Sequence, residues 1–133
     1  MKANAFVLLL MTLVLGLVAS PLLAHHSFMV GFDLSKPIVV KGVVTKVEWA
    51  NPHISFYVDV TETSGKVTNW GVDAAAPSAL AARGWTSTSM KAGDVVTVEG
   101  FPARNGKAFA AAGTVTLGDG RKIIAGSDGA YPR

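Results

Sequence analysis

Ile54-Ser55-Phe56-Tyr57-Val58-Asp59-Val60 is the stretch on which the fold turns. Ile54, Phe56, Val58 and Val60 alternate with Ser55, Tyr57 and Asp59, so one face is apolar and the other can be wetted. That is a strand with one side on a core and one side in water. Upstream, Ile38 to Trp49 is β-rich, with Gly42 near its middle, and a glycine inside a strand marks a bend or bulge. Ala50-Asn51-Pro52 is a turn signal between the two. Downstream, Thr61 to Lys66 turns through Ser64-Gly65, and Val67 to Ala74 forms a third strand with Trp70 and Val72 on one face.

The pattern then changes. Pro77 to Gly84 reads as a short helix: proline suits the first turn, Arg83 the last and Gly84 the end. Lys91 to Asp94 is a turn, and Val95 to Phe101 is a fourth strand with Val96 and Val98 inward. Arg104-Asn105-Gly106-Lys107 signals a hairpin. Strand five runs from Lys107 to Leu117, with Phe109, Ala111, Val115 and Leu117 expected on one face. Gly118-Asp119-Gly120 leads into a final small hairpin over Arg121 to Ile124. Three short strands, a helix and two more strands predict an all-β domain with one short helix. The architecture that fits is a small five-stranded OB-like Greek-key barrel, whose closure removes exposed sheet edges. A small open β-sandwich is the alternative. Phe56, Val58, Trp70, Val96, Val98 and Phe109 are expected to be buried together.

Lys2 is the only charge before Asp33, and an apolar run follows it from Ala5 to Ala19. Ser20-Pro21 breaks that run, and Leu22-Leu23-Ala24 offers a small residue for cleavage. These are the parts of a secretory signal peptide, and the run is shorter than the about 20 apolar residues of a membrane anchor. The expected organisation is a signal peptide over 1–24, an N-terminal arm over 25–36, the barrel over 37–124 and a flexible tail over 125–133. The protein is then expected in the periplasm or outside the cell, with no stable membrane insertion after cleavage. The chain has no cysteine, which excludes a lipoprotein anchor and disulfides. A formal net charge of +3, with no basic run, makes no case for a nucleic-acid partner.

Several elements carry a resemblance: His25-His26-Ser27-Phe28, Phe32-Asp33, the run Gly42 to His53, Gly84-Trp85, and Gly93 to Val98. Together they resemble a domain-of-unknown-function family of exported bacterial proteins with an N-terminal His-His-Ser-Phe and a Trp-x-Asn-Pro-His motif, here Trp49 to His53. Phe32-Asp33 departs mildly from the Tyr-Asp more usual there. The resemblance covers nearly the whole mature chain. It implies a secreted β-domain and no reaction.

The three histidines are His25, His26 and His53. Cleavage after Ala24 would make His25 the N-terminus, so that its amine and imidazole could chelate one metal ion. Such an amine has a pKa of about 7.7–8.0, leaving a useful neutral fraction near neutrality. His53 or His26 could add a further nitrogen, and nitrogen-rich sites favour copper(II). The competing reading is a solvated arm and a turn-capping histidine. Trp49, Asn51 and His53 are the candidate ligand-binding residues, because the loop after strand one borders the ligand face of such barrels. No catalytic residue is assigned: the chain lacks a Gly-x-Ser-x-Gly elbow, a cysteine nucleophile and a phosphate-binding glycine loop. Two classes of function follow. One is a binding module for a small ligand, a metal ion or an envelope protein; the other is a copper or zinc enzyme using His25 with His53.

Overall fold

The computed structural model describes residues 30–127. Its strands are β1 (Ile38–Glu48), β2 (Ser55–Thr61), β3 (Val67–Asp73), β4 (Val95–Pro102), β5 (Phe109–Leu117) and β6 (Lys122–Ile124), with one helix, α1 (Pro77–Ala82), between β3 and β4. They form one sheet in the order β3-β2-β1-β4-β5-β6. β3 and β5 also pair, in parallel, through Gly71↔Phe109, Val72↔Ala110 and Asp73↔Ala111. That pairing closes the first five strands into an OB-like barrel, with β6 added beside β5. The closed barrel, not the open sandwich, is the architecture.

β1 serves both sides of the barrel. Its first half pairs with β4 and its second half with β2. Gly42 lies where they meet, and a Cβ there would run into the carbonyl of Asp59, so the bend needs glycine. A bulge at Thr45 adds one residue to β1 against β2. One extra residue exchanges inside for outside. Val40 and Val44 therefore point inward before the bulge, and Val47 packs against the core after it.

The core holds Phe56 and Val58 from β2, Val72 from β3, Val96 and Val98 from β4, and Val115 and Leu117 from β5. Leu80 of α1, Trp85 and Met90 join it. α1 starts on Pro77, and just past its C-terminal cap comes Gly84, whose φ of +87° is the left-handed conformation that favours glycine. Arg83 sits at the C-cap, and its guanidinium reaches across to the carbonyls of Ile124 and Gly126.

Two expectations are corrected. Phe109 is not in the core, and Trp70 only packs against it. In β5, Gly113 bulges between Ala112, paired with Gly100, and Thr114, paired with Glu99. The bulge reverses the alternation, so Ala110 and Ala112 share the inner side with Val115 and Leu117, and Phe109 is outside. The packed chain also continues past Ile124. Ala125 is fully buried; its N–H donates to Gly113 O, and its carbonyl accepts from Ala75 N–H. Before the barrel, Phe32 is buried and bridges to Ala103, and Asp33 N–H donates to Pro102 O, so these two residues are fastened to it as well. Among the described residues no helix is long and apolar enough to cross a membrane.

Phe56 is completely buried. Phe56→Ala should cost about 3–5 kcal/mol, read from chemical denaturation. A loss below about 1 kcal/mol would remove Phe56 from the core.

Candidate functional site

The outer surface of β1, β2 and β3 is built by strand register. Three cross-strand rows follow from the pairings. The first is Glu48, Ser55 and Asp73. The second is Lys46, Tyr57 and Gly71. The third sets Asp59 opposite Asn69. All face away from the core because their neighbours Phe56, Val58 and Val72 face into it.

Each row is hydrogen-bonded. Ser55 Oγ donates to Asp73 Oδ1 at 2.5 Å. Lys46 Nζ is 2.5 Å from Glu48 Oε1, and the Tyr57 hydroxyl donates to Glu48 Oε2 at 3.4 Å. Lys46 Nζ also lies 5.8 Å from the centre of the Tyr57 ring, a cation–π contact. Asn69 Nδ2 donates to Asp59 Oδ1 at 2.7 Å and to Thr45 Oγ1 at 3.2 Å. The Lys46 ammonium holds the Glu48 carboxyl below the usual carboxylate range, and Glu48 in turn raises Lys46. Both groups therefore stay charged through neutral pH.

Gly71 gives the second row its aromatic character. A Cβ at Gly71 would stand 2.5 Å from Phe109 Cδ2 and 3.6 Å from Tyr57 Cε1. The Phe109 ring therefore lies over Gly71 on the outer face, beside Tyr57. Phe32 stacks on Phe109, centroids 6.0 Å apart at an interplanar angle of 22°. The signal for this platform is present in the chain as a glycine in the interior of β3, a mark of close approach. Along the chain alone Phe109 reads as a core residue, because the bulge at Gly113 is a property of strand pairing.

The expected site residues are only partly gathered here. Trp49 is half-buried and packs against the core. Asn51 is exposed, in the loop where the Asn51–Pro52 peptide is cis. His53 is half-buried. The ladder continues through Ile54 N–H to Ala75 O and Ala74 N–H to Ile54 O, so His53 shares the outer side with Ser55 and Tyr57 by alternation. His25 and His26 lie outside the described residues. Among the described residues no three His, Asp or Glu side chains form a group able to hold a metal ion.

Gly71→Ala should push the Phe109 ring off the sheet and leave the barrel folded, because the obstructing atoms belong to a side chain. The ring-current shifts that Phe109 imposes on its neighbours, read by NMR, should collapse in the variant. An unchanged ring environment would mean that Phe109 does not lie over Gly71.

The chain belongs to a family of unknown function, DUF6152, whose model matches residues 13–113. No curated protein matches it. Among solved structures it is similar to a mitochondrial single-stranded DNA binding protein of S. cerevisiae, Rim1, at 10% identity and a TM-score of 0.49, over 62% of this chain and 92% of that one.

Proposed function

We propose that this member of a family of unknown function is a non-catalytic binding module, exported to the periplasm, whose ligand face is the outer surface of β1, β2 and β3. The observation that carries the reading is the set of three rows: Tyr57 and Phe109, half-buried among hydrogen-bonding groups on the outer wall of a closed barrel. In OB barrels this face and its bordering loops take ligands, which supports the reading by analogy of fold. Export rests on the charged start, apolar run and small-residue exit of residues 1–24. A library of small neutral and charged fragments, titrated into isotope-labelled protein, tests the face. Fragments should shift the amides of Lys46–Glu48, Ser55–Asp59 and Asn69–Asp73 above all others. Hits collecting elsewhere, for instance between Lys91 and Arg121, would contradict it.

His53 on the same side supports a second reading, copper(II) held by the amine and imidazole of a mature N-terminal His25 with His26 or His53. The same site would serve a copper or zinc enzyme. Protein recovered from its host's envelope should begin at His25 by intact mass, and should bind copper(II) at micromolar concentration or tighter. One residue added ahead of His25 separates amine from ring without touching the fold. Copper affinity unchanged by that extension rules the arrangement out.

A further inference from the structure

We infer that the outer face of β1, β2 and β3 takes a neutral, hydroxyl-rich ligand, an oligosaccharide; this rests on the binding-module reading above and names its ligand class. Hydrogen-bond complementarity comes first. The face carries three carboxylates, Glu48, Asp59 and Asp73, against one ammonium, Lys46. Ionised carboxylates only accept, with about four lone-pair sites each. Within the protein Glu48 receives Lys46 and the Tyr57 hydroxyl, Asp73 receives Ser55, and Asp59 receives Asn69. Acceptor sites remain over in every row. The complement of an acceptor-rich face is a ligand that brings donors, and a polyol brings them without charge.

Charge then separates this ligand from two others. Single-stranded nucleic acids are bound in positive grooves with stacking aromatics. Here the aromatics stand among carboxylates, and phosphates would meet like charge, which works against binding. A cationic ligand would seek the Tyr57 ring beside Glu48. That place is already filled by Lys46, 5.8 Å from the ring centre and bridged to Glu48 at 2.5 Å. A neutral ligand does not compete with Lys46 for Glu48. The C–H-lined face of a sugar ring can lie against Phe109 and the Cε1 edge of Tyr57, the edge turned toward Gly71, where no side chain rises between the two rings. Its hydroxyls then reach Ser55–Asp73 on one side and Asp59–Asn69 on the other. Successive rows are two residues apart, about 7 Å, so a ligand touching all three is about 14 Å long. That length calls for an oligosaccharide.

The test is an NMR titration of the protein with four probes: linear hexamers of glucose and of N-acetylglucosamine, a twelve-residue oligothymidylate, and hexalysine. At least one saccharide should shift the amides of the three rows. Tyr57→Ala and the isosteric Asp73→Asn should each weaken it about tenfold or more, with thermal midpoints close to that of the parent. Asp73→Asn keeps the test open should Tyr57→Ala not fold. The inference is overturned if oligothymidylate or hexalysine shifts these amides and neither saccharide does, or if both variants bind the saccharide as tightly as the parent. If neither saccharide binds while small fragments still collect on the face, the ligand class is wrong and the binding-module reading stands. Fragments collecting elsewhere sink both.

Discussion

The parallel pairing of β3 with β5 is the constraint that organises this molecule. Without it, β3 would end the sheet as an unpaired edge. Closing five short strands demands a strongly curved wall, and the chain supplies the curvature at a few positions. Gly42 lets β1 pass close to the Asp59 carbonyl, and Gly100 lets β4 pass close to that of Ala111. The bulges at Thr45 and Gly113 re-aim the strands on either side of them. The Gly113 carbonyl accepts from Ala125 and Gly126, which extends the β5–β6 pairing and draws the end of the barrel segment onto the wall.

The same closure makes the candidate site. Parallel register sets Phe109 beside Gly71, and the absence of a side chain there lets the ring lie against the sheet. Tyr57 is opposite Gly71 on β2, so two rings from strands far apart in sequence share one surface. Both are held by β-ladders rather than by loops, which keeps the platform in one geometry. Phe32 stacks against Phe109, and the backbone of Asp33 donates to Pro102 O, tying the segment before β1 to the same region.

Charge is distributed unevenly over the barrel. The chain as a whole is positive, with a formal net charge of +3, yet carboxylates outnumber the ammonium on the rows of β1 to β3. Lys46 and Glu48 stabilise each other's charged forms, while Lys122 holds Glu99 below the usual carboxylate range on another part of the wall. The acidic surface is therefore a local property of the face, and a whole-chain charge conceals it.

Much of the fold was legible along the chain because period-two alternation and turn chemistry are local. The β2 pattern, the Asn105-Gly106 hairpin and the Pro77-to-Gly84 helix each act within a few residues, and each forms where its residues direct. What the chain by itself could not determine is which way a strand faces beyond a bulge. One added residue at Gly113 puts the side chains before and after it in opposite phase, so Phe109, which alternates with Val115 and Leu117 along the chain, reads as core and stands outside. Nor could it determine that Tyr57, Asp59 and Asn69 meet Lys46, Asp73 and Phe109 on one surface. Lys46 and Asp73 arrive through the antiparallel register of β1, β2 and β3, and only barrel closure brings Phe109, from β5, to the same surface.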